Sequence, residues 1–162
     1  MPYRVEDLKP GDVVLVEGVG PLARAIKWST GSPFSHVALV GDGHLIEALW
    51  TVSRSPLGKY AAKAGWAYRV AGATDEQRAK AVAWAEGRVG AKYGIREIAL
   101  DAAKFDLHWT PRLRHPLTRL TCSGLVAQAY REAGVVLTWA SFPAPSDLSA
   151  SPLLVGPRPW VA

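Results

Sequence analysis

The sequence has a single cysteine and no long hydrophobic run. One cysteine excludes an internal disulfide and any zinc site built from several cysteine ligands. No apolar stretch approaches the roughly 20 residues that a membrane-spanning helix needs, so we expect no transmembrane segment. Residues 1–7 are polar and lack the apolar core of a signal peptide, which predicts a chain that is soluble on synthesis and carries no export signal.

Acidic residues are in the minority, since 14 Asp and Glu stand against 19 Lys and Arg, for a net charge of +5. The excess favours contact with an anionic surface such as a cell-wall polymer, a membrane or nucleic acid. The basic residues are scattered, however, and no aromatic residues interleave their densest cluster, so we expect no nucleic-acid partner. That cluster consists of Arg112, Arg114, His115 and Arg119.

Length and composition predict one globular domain over residues 1–162, with 49% apolar and 20% charged residues. Short apolar segments bounded by glycine and proline are typical of strands. The glycines of Gly41-Asp42-Gly43 allow a tight turn and therefore predict a hairpin. The predicted strands are residues 12–16, 36–40, 44–49 and 66–70.

Residues typical of helix starts and ends occur between these strands and after the last of them. Pro21 suits a first helical position and Gly31 a stop. Thr74 and Gln77 have the spacing of a capping box. The predicted helices are 21–30, 75 to about 89 with Gly90 ending it, about 95–105, 123–133 closed by Gly134, and a short turn at 145–148, with a loop at 106–120. The pattern predicts an α+β fold with a small antiparallel sheet packed by helices.

Cys122 is the candidate nucleophile. A lone cysteine is usually a small buried apolar residue. Here it directly precedes a predicted helix, whose unsatisfied N–H groups and dipole favour a thiolate. Ser123 and Gly124 keep the surroundings small, and the same N–H groups can receive the oxyanion of a tetrahedral intermediate.

His36 is the candidate base among the chain's four histidines. His108 and His115 lie in the predicted loop, and His44 lies at the hairpin mouth, where we expect it to be exposed. His36 begins an otherwise apolar strand, a costly position for an imidazole without a partner. The alternative is a core histidine satisfied by the backbone.

The hairpin supplies a partner for His36. If Gly41-Asp42 is a two-residue turn, Val40 faces Gly43 and His36 lies opposite Glu47, with Cβ atoms about 5 Å apart. A carboxylate beside an imidazole is the base–orienter pair that a nucleophilic cysteine uses. A three-residue turn would break this register. The alternative for Glu47 is an edge charge that faces water, and we expect this carboxylate to be half-exposed.

These residues resemble a known family. Residues 121–126, continuing to 130–134, resemble the nucleophile block of NlpC/P60 peptidases, and residues 90–93 are similar to that family's Gly-x-x-Tyr element. Residues 35–43 with Glu47 resemble its histidine block, which here precedes the cysteine. This order is similar to the circularly permuted, YiiX-like branch, which implies a papain-like fold. Gly94 departs from the family's acidic residue, and residues 95–120 match no family element.

The resemblance implies thiol hydrolysis of amide bonds through a Cys122 thioester, with His36 as base and Glu47 as orienter, and without a metal or organic cofactor. It also implies substrate-binding or oxyanion roles for Tyr93, Ser35 and Ser123. The first expected substrate is a peptidoglycan stem peptide, which the protein would reach after lysis or phage delivery. Two alternatives stay open: a lipid-directed acyl hydrolase or acyltransferase with an apolar groove from the tryptophans and residues 95–120, and a non-catalytic binding module.

Overall fold

The computed structural model describes residues 4–49, 51–61, 65–91 and 121–156. The fold is α+β, as predicted, and its sheet is antiparallel with the strand order β4-β3-β2-β1-β5-β6. The strands are β1 (Val13–Val16), β2 (His36–Val40), β3 (His44–Ala48), β4 (Val52–Pro56), β5 (Gly65–Val70) and β6 (Leu154–Val155). The helices are α1 (Pro21–Thr30), α2 (Asp75–Glu86), α3 (Cys122–Glu132) and α4 (Pro145–Ser149), with 3-10 turns at Val5–Asp7 and Leu57–Tyr60.

Strand β1 lies at the centre of the sheet because it is apolar on both faces. Val13 and Leu15 join the core beneath α2 and α3, while Val14 and Val16 face the opposite side. A continuous apolar run is what a strand covered on both faces requires. The second face is covered by residues outside the main helices: Leu8, Leu57, Tyr60 and Ala61.

The helix boundaries follow the local signals closely. Pro21 is the first residue of α1, and Gly31 closes it with a left-handed φ of 62°. The Thr74 hydroxyl accepts from the Gln77 N–H (3.1 Å), and the Gln77 side chain accepts from the Thr74 N–H (2.9 Å), which completes the predicted capping box.

Helix α2 ends at Glu86, three residues before the predicted end at Val89. The chain after the helix contacts the edge of the sheet. The Gly90 N–H donates to the Val52 carbonyl (2.8 Å), and the Val52 N–H donates to the Ala91 carbonyl (3.0 Å). Between the helix and these bonds, the Arg88 and Val89 N–H groups donate to carbonyls three residues back, so the α-helical pattern gives way to a tighter turn.

Helix α3 begins one residue earlier than predicted, so that Cys122 is its first helical residue. Thr121 is the N-cap, and its hydroxyl accepts from the Gly124 N–H (2.8 Å). A Cβ on residue 124 would come within 2.7 Å of that hydroxyl oxygen, so glycine fits this first turn. Buried Tyr130 donates to the Gly11 carbonyl before β1, which anchors the helix against the sheet.

Strand β4 and the 3-10 turn at Leu57–Tyr60 were not predicted. Strand β4 has only a short, mostly polar sequence, and it lies at the edge of the sheet, where Pro56 can end it without removing a ladder hydrogen bond. The predicted helix at 95–105 and the loop at 106–120 lie outside the described residues. Within the described ranges, no helix is long and apolar enough to cross a membrane.

Candidate active site

The β2–β3 hairpin places His36 and Glu47 on one sheet face, in a register that differs from the predicted one. Ala38 pairs with Glu47 and Val40 with Leu45. The Gly41 N–H donates to the His44 carbonyl (2.8 Å), so the turn is Asp42-Gly43, with a φ of 75° at Gly43. The predicted turn at Gly41-Asp42 is therefore wrong by one residue.

That one-residue error in the turn moves the strand pairing by two residues. Because side chains alternate with a period of two, a shift of two leaves every side chain on its predicted face. Glu47 is thus a diagonal neighbour of His36 instead of its direct partner. The long side chains span this distance, and the His36 Nε2–H donates to Glu47 Oε2 at 2.8 Å.

Glu47 is fully buried, so the expectation of a half-exposed carboxylate is wrong. The Tyr60 hydroxyl donates to the same oxygen, Oε2, at 2.7 Å. The Ser55 hydroxyl and the Lys59 ammonium both donate to the other oxygen, Oε1. These three residues come from β4 and the 3-10 turn, the segments that the sequence pattern did not reveal.

Cys122 meets the first residues of β2 from the amino-terminal end of α3. Cys122 is 8% exposed, and its thiol is hydrogen-bonded to the His36 side chain. Because Nε2 of His36 is bonded to Glu47, its other nitrogen, Nδ1, is the one that faces the sulfur. The backbone N–H groups of Val37 and Ser123 also donate to the sulfur. The structure therefore brings Cys122, His36 and Glu47 together in one chain of contacts.

The contacts shift the pKa of each member in the direction that nucleophilic chemistry needs. Burial raises the pKa of Cys122, but the His36 hydrogen bond and charge and the two N–H donors lower it below its ordinary value. Burial lowers the pKa of His36, but its bonds to Cys122 and Glu47 raise it to about 9. Burial raises the pKa of Glu47, but its four donors lower it to about 2. At neutral pH these shifts favour an imidazolium and a carboxylate, and they make the Cys122 thiolate easier to form than that of an ordinary cysteine.

The other predicted site residues have different surroundings. The Ser35 hydroxyl accepts from the Gly18 N–H (2.9 Å), and the Ser123 hydroxyl donates to the Pro143 carbonyl (2.6 Å). Ser123 contributes its backbone N–H to the thiol, while its side chain holds the loop before α4. The roles predicted for both residues in binding substrate stay predictions. Tyr93 lies outside the described residues.

His44 is half-buried, so the prediction of an exposed histidine is wrong. Its Nε2 contacts Glu86 Oε1 at the end of α2. Arg54 donates to the other oxygen of Glu86 through Nε (2.9 Å) and Nη2 (2.6 Å). This cluster lies at the opposite end of β2 from His36. His108 and His115 lie outside the described residues.

Alkylation should reveal the activated thiol. We expect the rate of iodoacetamide labelling of Cys122 to rise with pH around a midpoint below about 8.5, the ordinary value for a free thiol. The midpoint should move upward in His36→Ala, because burial then still raises the pKa of the thiol without the opposing imidazolium. A wild-type midpoint at or above about 8.5 would contradict an activated thiolate.

Comparison with known proteins gives a match in fold. No family profile and no curated protein sequence matches this chain. Among solved structures, the metalloprotein YiiX from Escherichia coli O157:H7 (DUF1105) aligns with a TM-score of 0.67 and 20% identity. The alignment covers 91% of this chain and 94% of that one. The chain therefore has a YiiX-like fold, as the sequence resemblance implied.

The donor groups of this site do not fit a resident metal ion. Among the described residues, no group of three or more His, Cys, Asp or Glu side chains is arranged to hold a metal. Both oxygens of Glu47 already accept two hydrogen bonds each, and the two His36 nitrogens face Glu47 and Cys122. We therefore assign no step to a metal here.

Proposed function

We propose that the protein is a thiol hydrolase that cleaves amide bonds through a covalent Cys122 thioester. The observation that carries the proposal is the contact chain from the Cys122 thiol through His36 to buried Glu47. A nucleophile, a base and an orienter in mutual hydrogen-bond contact are the arrangement that defines catalytic triads, whatever their order in the sequence.

In the first step, the Cys122 thiolate attacks the carbonyl carbon of the substrate and forms a carbon–sulfur bond. The carbonyl oxygen becomes an oxyanion beside the amino-terminal end of α3, and the Ser123 N–H, whose acceptor sulfur loses its negative charge as the carbon–sulfur bond forms, can donate to it. The helix dipole adds to this stabilisation of negative charge.

In the second step, the tetrahedral intermediate collapses and the carbon–nitrogen bond breaks. The His36 imidazolium gives its Nδ1 proton to the leaving amine, and the acyl group stays on Cys122 as a thioester. Neutral His36 then takes a proton from water, whose oxygen attacks the thioester. Collapse of this second intermediate releases the carboxylic acid and restores the thiolate and the imidazolium.

Peptidoglycan stem peptide is the first proposed substrate. The support is the resemblance of the nucleophile and histidine blocks to NlpC/P60 peptidases and the net charge of +5, which suits an anionic polymer. On this proposal the protein is a cell-wall amidase or endopeptidase.

A lipid-directed acyl hydrolase or acyltransferase is the second candidate, and exposed aromatic side chains in the loop between α3 and α4 favour it. Trp139 and Phe142 are 86% and 89% exposed. Phe142 directly precedes Pro143, whose carbonyl accepts the Ser123 hydroxyl next to the nucleophile. Exposed aromatics in a loop that is bonded to the residue after the nucleophile suit contact with acyl chains or a membrane interface.

The two candidates predict different products. We expect amine groups to be released from purified cell wall and no fatty acid from phospholipid vesicles, with Cys122→Ala as the inactive control. Release of fatty acid instead would favour the lipid candidate. In that case Trp139→Ser with Phe142→Ser should lower the release several-fold, whereas Val155→Ser, on distant β6, should not. Absence of both products and of thiol labelling would favour a binding module.

A further inference from the structure

Three residues besides His36 donate hydrogen bonds to the Glu47 carboxylate. Ser55 lies on β4, and Lys59 and Tyr60 lie in the following 3-10 turn. We call them the carboxylate cluster. The Lys59 ammonium also contacts the Ser55 hydroxyl (3.3 Å) and lies 5.1 Å from the centre of the Tyr60 ring. The Tyr60 ring in turn lies 5.9 Å from the His36 ring, centre to centre.

The carboxylate cluster completes the hydrogen bonding of Glu47. A carboxylate has about four acceptor sites, and His36 with the cluster supplies four donors, two to each oxygen. Two consequences follow. The carboxylate cannot rotate without breaking several bonds, and its charge is shared between the His36 imidazolium and the Lys59 ammonium.

Charge balance gives Lys59 a specific part in this arrangement. The His36 imidazolium, the Glu47 carboxylate and the Lys59 ammonium alternate in sign along the contact chain. A buried carboxylate that faced only the imidazolium would stabilise that cation strongly. His36 must nevertheless release its proton to a leaving group. The Lys59 ammonium is a second cation, and it is bonded to Oε1 of Glu47. It therefore offsets part of the negative charge that stabilises the His36 imidazolium.

We propose that Lys59 is a positioning residue that acts through Glu47, holding this carboxylate in place and easing proton release from His36, with Tyr60 and Ser55 completing the fixation. The inference rests on the proposed thiol chemistry, because it assigns Lys59 a part in the proton transfer of that reaction. It goes beyond that chemistry in adding residues outside the Cys–His–Glu chain.

The groups that act on His36 directly or through Glu47 come from three elements. Helix α3 supplies Cys122, β3 supplies Glu47, and the 3-10 turn supplies Lys59 and Tyr60. The described residues that β1 presents on this sheet face are uncharged: Val14 and Val16. A change in the titration of His36 on substitution of Lys59 can therefore be assigned to this network.

The titration of His36, followed by nitrogen-15 NMR of its imidazole, tests the inference without a substrate. In the wild type we expect a midpoint near 9. Lys59→Met removes a cation from the far side of Glu47, so the imidazolium becomes more stable and the midpoint should rise by about one pH unit. Lys59→Arg keeps the charge and should leave the midpoint close to that of the wild type. Lys80→Met, which removes an exposed lysine from α2, is the matched control and should not move it.

An unchanged His36 midpoint in folded Lys59→Met would overturn the proposal. If Lys59→Met does not fold, Tyr60→Phe provides the second test, because it removes the donor that shares Oε2 with His36 and keeps the ring. The titration midpoint of His36 should also rise in Tyr60→Phe. An unchanged midpoint would contradict the proposed effect of the carboxylate cluster on His36. Since neither titration requires turnover, failure to find a cleaved substrate refutes the proposed activity separately. Where turnover is measurable, Lys59→Met should lower kcat more than it changes KM. The Lys59→Arg variant should retain most of the wild-type kcat.

Discussion

Replacement of Cys122 by alanine is expected to reduce turnover by at least about four orders of magnitude, because no other group can form the thioester. His36→Ala should cause a loss of similar size, since the thiol then lacks the partner that holds it as a thiolate. The double variant should be no worse than either single variant, because the two residues act as one unit. Amine release from the accepted substrate measures this effect.

Folding must be checked beside activity, because the Cys122 side chain is buried. We expect Cys122→Ala to retain its circular dichroism spectrum and a cooperative thermal transition, since the substitution removes only a small group. The pKa of His36 should fall in this variant, because the thiol contributes to raising it. Turnover within tenfold of the wild type in folded Cys122→Ala would refute the proposed mechanism.

Glu47 is the position where substitution should affect both activity and stability. Glu47→Gln keeps the shape and one acceptor oxygen but loses the charge that stabilises the imidazolium, so kcat should fall by about two orders of magnitude, and Glu47→Ala should lower it further. Glu47→Ala also leaves the Lys59 ammonium and the other donors without their acceptor. A buried charge network that loses one partner is typically destabilised by about 3–5 kcal/mol.

The pH dependence of stability distinguishes this charge from a packing effect. The pKa of Glu47 is lowered to about 2 in the folded protein, so its ionised form stabilises the fold above the ordinary pKa of about 4.3, and this contribution is lost as the pH falls towards 2. The difference in unfolding free energy between the wild type and Glu47→Gln should therefore shrink over this range. Glu76→Gln, an exposed change on α2, serves as the control in denaturant titrations. Full activity in folded Glu47→Ala would assign the orienting role to another group.

Local sequence signals were sufficient for most of the elements that carry the site. The strand bounds at His36–Val40, the cap at Thr74 and the start of α3 near Cys122 depend on turn residues and apolar periodicity within a few positions. The shared face of His36 and Glu47 was also predictable, because the two-residue period of a strand keeps the face correct even when the turn is misplaced by one residue.

The environment of Glu47 was decided by tertiary structure. Strand β4 and the 3-10 turn have weak local patterns, and they form because they pair with β3 and cover the second sheet face. Only that packing brings Ser55, Lys59 and Tyr60 to Glu47, and it changes a carboxylate expected to be half-exposed into a fully buried one. The burial of His44 also depends on tertiary structure, since its partner Glu86 lies on a helix that is distant in sequence. Sequence alone thus determined the members of the proposed triad and the shared sheet face of His36 and Glu47. The tertiary structure decided how deeply the triad is buried and which charges surround it, because burial and ion pairing arise from contacts between segments that are distant in the chain.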